Sequence, residues 1–141
     1  MYLCNDKKAE DMEKGIKFSL ERVVTDEMTA RSMGSGTLDV FATPAMIALI
    51  EETAWRSVAA ELGEESGSVG ISLNVEHLAP TPVGMKVKCE TELTNVDGRR
   101  LDFSVVVTDE CGLIGKGTHS RFVINNAKFQ AKADGKRENI K

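Results

Sequence analysis

The chain reads as an α+β domain in which an antiparallel β-sheet of about five strands wraps around one long central α-helix. Three observations predict this. One stretch, Thr43 to about Leu62, repeats apolar side chains at helical spacing. The stretches that follow it alternate with period two. Two tight turns, Asp97-Gly98 and Glu110-Cys111-Gly112, join neighbouring strands.

The elements follow in order. Residues 1–14 are charged and aperiodic, which predicts a flexible N-terminal segment. Ile16 to Val24 is the first strand candidate. TDEMTARSMGSGTLD comes next, and its Gly34-Ser35-Gly36 predicts a mobile connection able to act as a lid. Thr43 and Pro44 suit the N-cap and first position of the helix, and Gly63 suits its C-terminal end. Four strands are then predicted, at about Ser68–Ala79, Met85–Val96, Arg100–Thr108 and Leu113–Asn125. In the second of these, Met85, Val87, Cys89, Thr91 and Leu93 share one face and Lys86, Lys88, Glu90 and Glu92 the other, so one side of the sheet is wet and one covered. The simplest packing lays the helix on the covered side. The folded domain is expected over 15–128, and 129–141 reads as a charged C-terminal tail.

Composition narrows the function. With 18 basic and 22 acidic side chains mixed along 141 residues and a net charge of −4, no basic stripe for a phosphate backbone exists, so nucleic acid is not an expected partner. No apolar run reaches the roughly 20 residues of a membrane helix, and the start is too polar for a secretory signal. These features predict a soluble, cytoplasmic protein. Cys4, Cys89 and Cys111 fit neither a disulfide framework nor a zinc pattern, and His77 and His119 have no ligand cluster around them, so no metal is expected.

Polar groups on apolar faces are the candidates for chemistry. Glu51 falls between Ile47 and Ala48 on one side and Ala54 and Trp55 on the other, which points it along the apolar side of the helix. Burying a carboxylate there demands a polar partner; a rim position, half exposed, is the alternative. Glu52 has Arg56 four residues on and reads as an ordinary solvated pair. In SVGISLNVEHLA, alternation puts Val69, Ile71, Leu73, Val75 and His77 on the covered face, and Gly70, Ser72, Asn74 and Glu76 on the other. Thr43 brings a hydroxyl to the positive end of the helix. A hydroxyl, a carboxylate and an imidazole near one helix–sheet contact can supply a donor, a base or nucleophile, and its partner. In GLIGKGTHSRFV, Gly115 and Gly117 mark close backbone approach or tight helix packing. Arg121 shares their face and needs an anion: Glu51, a tail carboxylate or a substrate phosphate. His119 reads as an ordinary strand residue.

Three blocks carry a family resemblance: VFATPAMIALIE at 40–51, SVGISLNVEHLAPTPVG at 68–84 and GKGTHSR at 115–121. In these the chain resembles the hot-dog-fold thioesterases of the fluoroacetyl-CoA thioesterase family, over roughly Gly15 to Lys128. The resemblance implies an acyl-CoA thioesterase that forms a homodimer by joining two sheets, with active sites at the subunit interface; the expected reaction is hydrolysis of a short or medium acyl-CoA to free acid and CoA, with no cofactor beyond the CoA of the substrate. It assigns catalysis to Thr43, Glu51 and His77 and substrate contacts to Gly70 and Arg121. Arg99, Arg100 or Lys116 would meet the CoA phosphates. The chain departs from the family where no aromatic residue lies between Phe18 and Phe41 and RSMGSG takes the place of a phenylalanine-bearing lid. The alternative reading is a hot-dog module that binds an acyl-CoA or small apolar acid without hydrolysing it.

Overall fold

A computed structural model describes residues 12–140. Most of the expected N-terminal flexible segment, residues 1–11, lies outside the described residues. Met12, assigned by sequence to that same segment, is instead buried among Val58, Leu62 and Phe103. A lone apolar side chain beside an open core edge is drawn in even when its neighbours are charged.

The strands are β1 (Lys17–Val23), β2 (Ser66–His77), β3 (Lys86–Asp97), β4 (Arg100–Asp109) and β5 (Gly112–Asn125). They form one sheet in the order β1-β3-β4-β5-β2, with every neighbouring pair antiparallel. The long helix, Thr43–Leu62, lies across the concave face. Met46, Ile50, Ala54, Val58 and Leu62 recur every four residues along its buried side. Met46, Leu49 and Ile50 pack with Val87, Cys89, Val105, Val107 and Ile114, while Ala54, Val58 and Leu62 pack with Leu93, Leu101, Phe103 and Val123. Full burial of each large side chain contributes about 1.5–3 kcal/mol.

Three local features differ from the sequence expectation. First, Ala42, in extended backbone, is the N-cap of the long helix, and Thr43 is its first residue, with no side-chain capping bond. Second, the connection read as a mobile lid is a folded turn. A 3-10 turn, Asp26–Met28, leads into a short helix, Ala30–Met33, which Thr29 caps by accepting from the Ser32 N–H at 3.2 Å. Gly34 ends that helix in the left-handed region at φ 73°, and the Ser35 N–H donates back to the Ala30 carbonyl at 3.0 Å. Third, the charged tail forms a helix, Asn126–Gly135, capped by Asn125 through the Lys128 N–H at 3.0 Å. No residue of that helix is buried, so its cap and its Ala, Lys and Gln content sustain it rather than a core contact.

The strand β2 carries the main correction. Its pairing with β5 shifts between Gly70, opposite Arg121, and Ser72, opposite Ser120, so Ile71 is an extra residue at a bulge. Strict alternation put Gly70 on the solvent face; the bulge returns it to the helix side, with Ser66 and Ser68. Val75 and His77 stay inward, but Ile71 is 49% exposed and Leu73 36%.

On β5 the glycines admit close neighbours. A Cβ on Gly115 would sit 2.7 Å from the sulfur of fully buried Met46. A Cβ on Gly117 would collide with the carbonyl oxygen of Asn74 on the adjacent strand. Because a backbone carbonyl in a ladder cannot swing aside, Gly117→Ala should destabilise the fold by about 1–3 kcal/mol. Urea denaturation checks this, and an unchanged midpoint would show that β2 and β5 can separate at no cost.

Candidate active site

The start of the long helix and the end of β2 meet at Thr43 and His77. Since the Thr43 hydroxyl caps no N–H, it is available to the imidazole, and Thr43 Oγ1 lies 2.8 Å from His77 Nδ1. Phe41 presents its ring edge-on to the imidazole at a centroid distance of 6.2 Å. The other ring nitrogen, Nε2, is buried and has no hydrogen-bond partner among the described residues. A buried ring nitrogen of this kind gains about 1–3 kcal/mol from a polar partner. A cleft of about 280 Å³ opens beside it, lined by Val40, Phe41, Thr43, Ala79 and Pro80. Desolvation by burial holds the His77 pKa below its ordinary value of 6.5.

Glu51 stands two helical turns further on. Eight residues at 1.5 Å each separate its Cα from that of Thr43 by about 12 Å, and among the described residues no hydrogen bond links Glu51 to Thr43 or His77. Its side chain is 41% exposed at the rim of the helix–sheet contact, which is the half-exposed alternative raised by the sequence. Arg121 meets it, with Nη1 3.3 Å from Glu51 Oε2. Of the three anions considered for Arg121, Glu51 is therefore the one in contact.

Arg121 is only 5% exposed, and its guanidinium is held on several sides. Nε donates to the Ser68 hydroxyl at 2.8 Å, Nη2 to the Ser68 carbonyl at 2.7 Å, and Nη1 faces His119 Nε2 at 3.1 Å. Burial lowers the Arg121 pKa and the Glu51 carboxylate raises it in return. Gly70 completes this group. A Cβ there would lie 2.5 Å from Glu51 Oε2, so only glycine leaves room for the carboxylate to lie against the strand.

The sequence reading thus named members of two clusters without separating them. Thr43 and His77 form one, and Glu51, Gly70 and Arg121 form the other. It placed His119 on the face of Arg121 but read it as an ordinary strand residue; the structure buries it almost wholly in the second cluster. Glu52 pairs with Arg56 at 3.2 Å as expected, and also with Arg22 at 2.8 Å. Arg100 is engaged by Asp102 at 3.0 Å and Ser120 at 3.2 Å, while Lys116 is exposed. The Cys89 thiol is pushed up to about 11, chiefly by burial, which makes it a core residue rather than a nucleophile. Among the described residues no group of three His, Cys, Asp or Glu side chains could hold a metal ion, and no helix is long and apolar enough to cross a membrane.

Burial also depresses His119, ahead of the Ser72 carbonyl, which raises its pKa, and of Arg121, which lowers it. Two histidines that stay neutral in the fold take up protons on unfolding below their ordinary value of 6.5. Between that pH and their lower folded values the unfolded state binds more protons, so stability falls with acidification. Urea midpoints should therefore drop between about pH 7 and pH 5, less steeply in His119→Gln; a flat profile would mean that both imidazoles ionise freely in the fold.

Comparison with known proteins places the chain in a family. The fluoroacetyl-CoA-specific thioesterase family model matches residues 24–127. The fluoroacetyl-CoA thioesterase of Streptantibioticus cattleyicolor is 38% identical over 127 residues, covering 86% of this chain and 91% of that protein. A solved structure of the fluoroacetyl-CoA thioesterase FlK superposes with a TM-score of 0.84 at 37% identity, covering 89% of this chain and 97% of its own. A Thermus thermophilus hypothetical protein described as a thioesterase superfamily member gives 0.82 at 29% identity, over 90% and 94% of the two chains. A hot-dog-like protein from Thermanaerovibrio acidaminovorans shares the fold at 21% identity, with a TM-score of 0.80 over 90% and 94%. A helix in the grasp of a five-stranded antiparallel sheet is the hot-dog fold, and with three quarters of its length matched by one family model this chain belongs to the fluoroacetyl-CoA-specific thioesterase family.

Proposed function

We propose that the protein is an acyl-CoA thioesterase that hydrolyses a short or medium acyl-CoA to free acid and CoA, with Thr43, Glu51 and His77 as its catalytic residues. The observation that carries this reading is His77, held at 2.8 Å by Thr43 beside a cleft, with its buried Nε2 unpartnered among the described residues. A thioester is already an activated acyl group, so the site has mainly to place a nucleophile and stabilise an oxyanion. Glu51, as base or nucleophile, directs water or its own oxygen at the carbonyl carbon. Thr43 orients the imidazole, and His77, as the partner of Glu51, takes up the proton lost by the attacking water and passes it to the departing CoA sulfur. Gly70, where the bulge interrupts the ladder, offers a backbone N–H to the oxyanion, and Arg121 keeps Glu51 in place. Nothing in this chemistry requires a cofactor beyond the CoA of the substrate, and a CoA thioester as substrate supports a cytoplasmic location.

Two clusters about 12 Å apart along one helix become one site if a second copy supplies the other half. The sheet supports such a homodimer. Strand β2 is an outer strand with Ile71 and Leu73 exposed, and beside it Ala48, Trp55 and Ala59 leave an apolar stripe uncovered on the helix. Antiparallel pairing of β2 with its copy sets the His77 end of one strand against the Ser66 end of the other, where the partner's Gly70 cluster begins.

Free-thiol release from acetyl-, fluoroacetyl-, medium-chain and aromatic acyl-CoA should occur for at least one member. Glu51→Gln should lower it by about 100-fold or more, as expected on loss of a general base or nucleophile. Near-normal turnover in that variant would remove Glu51 from the mechanism. Mixing equal amounts of inactive Glu51→Gln and His77→Ala chains, after exchange of subunits, should restore about a quarter of wild-type activity if each site draws its Glu51 and His77 from different copies of a twofold dimer. No recovery would place both residues in one chain's site.

A further inference from the structure

We infer that His119 is a positioning residue for the Glu51 carboxylate, acting through Arg121. The inference rests on the reading of Glu51 as the reacting carboxylate. His119 is no part of the cleft beside His77 and is given no chemical step, yet its surroundings admit only one protonation state. Nδ1 lies 2.9 Å from the carbonyl oxygen of Ser72, an acceptor, so Nδ1 carries the hydrogen and donates. Nε2 lies 3.1 Å from Arg121 Nη1, a donor only, so Nε2 is the bare acceptor. The opposite tautomer would aim a lone pair at a carbonyl and an N–H at a guanidinium. The imidazolium would add a second positive charge beside the first. Phe103 lies against the ring at a centroid distance of 6.2 Å and 27° between planes, which holds the plane of the imidazole.

The consequence falls on Arg121 Nη1, which has two hydrogens. With one committed to His119, the other points to Glu51 Oε2, 3.3 Å away. Ser68 fixes the remaining edge of the guanidinium through its hydroxyl and its carbonyl. Two of these anchors lie on β2 either side of the bulge: Ser68 before it, holding Arg121 directly, and Ser72 after it, holding Arg121 through the imidazole. A long, half-exposed glutamate side chain has several rotamers of its own; the fork of a guanidinium locked at three corners selects one of them. The neighbouring Gly70 keeps that position open, since a Cβ there would approach Glu51 Oε2 to 2.5 Å and His119 Cε1 to 3.2 Å. The charged and titratable groups facing the imidazole are Arg121 from its own strand and Glu51 from the helix.

The test separates an acceptor for Arg121 from a packing role. Thiol release is measured for wild type, Glu51→Gln, His119→Asn and His119→Gln, and the imidazole tautomers of the unmodified protein are read from two-bond ¹H–¹⁵N spectra. Asn can still donate to the Ser72 carbonyl but cannot reach Arg121, whereas the Gln oxygen stands where Nε2 stood. Asn should lower kcat on the order of 10- to 100-fold, as misplacement by about 1 Å does, with KM little changed. Gln should recover most of the lost rate, and His119 should appear with its hydrogen on Nδ1. Wild-type kcat in the Asn variant, equal impairment by Asn and Gln, or a hydrogen on Nε2 would each overturn the inference. Should the Asn variant fail to fold, the spectrum and the Gln variant still decide, since Gln at the level of Glu51→Gln would overturn it as well. Absence of thiol release from wild type on every acyl-CoA would instead refute the thioesterase reading, and the spectrum would still judge the geometry.

Discussion

The rotation of the long helix about its own axis is the constraint from which the rest of the geometry follows. Met46, Ile50, Ala54, Val58 and Leu62 must all face the sheet, and at about 100° per residue this leaves no freedom for the side chains between them. Glu51, one step from Ile50, is turned to the rim above β2 and β5. Thr43, one turn before Met46, is turned to the end of β2. A helix apolar on one side only would have buried that side and shown water a charged surface. This one keeps Ala48, Trp55 and Ala59 on its outer side, so the carboxylate stands in an apolar stripe that a single sheet cannot cover.

Strand β2 answers the helix residue by residue, and the bulge at Ile71 makes this possible. One extra residue reverses the faces of the first half of the strand relative to the second. Gly70 and Ser68 therefore turn toward Glu51 and Arg121, and Val75 and His77 still turn toward Phe41 and Thr43. With regular alternation, either the imidazole or the glycine would have faced the wrong side.

A buried guanidinium is tolerated because little of it is left unmatched. Taking such a cation out of water costs several kcal/mol in practice, and the Ser68 hydroxyl and carbonyl, His119 Nε2 and the Glu51 carboxylate all face it. The Glu51 side chain is 41% exposed. The same network that satisfies Arg121 thus presents a carboxylate to solvent at a defined place, whereas His77 Nε2 has no hydrogen-bond partner among the described residues.

Much of this was legible in the sequence. Period and turn chemistry are local, and they located the long helix and all five strands to within a couple of residues, together with the antiparallel order of β3, β4 and β5. The anomaly of Glu51, His77 and Arg121 on inward faces was equally visible, because a polar residue in an apolar pattern can be seen without knowing its partner. The partners could not be seen. Which of three anions meets Arg121, that the Thr43 hydroxyl goes to an imidazole rather than to a backbone N–H, and that Gly70 faces the helix all depend on pairing between segments far apart in the chain. A bulge is a property of two strands in register and leaves no reliable mark on either alone. His119 read as an ordinary strand residue for the same reason: a histidine on a strand acquires its tautomer and its partner only from what the tertiary structure brings to each side of its ring.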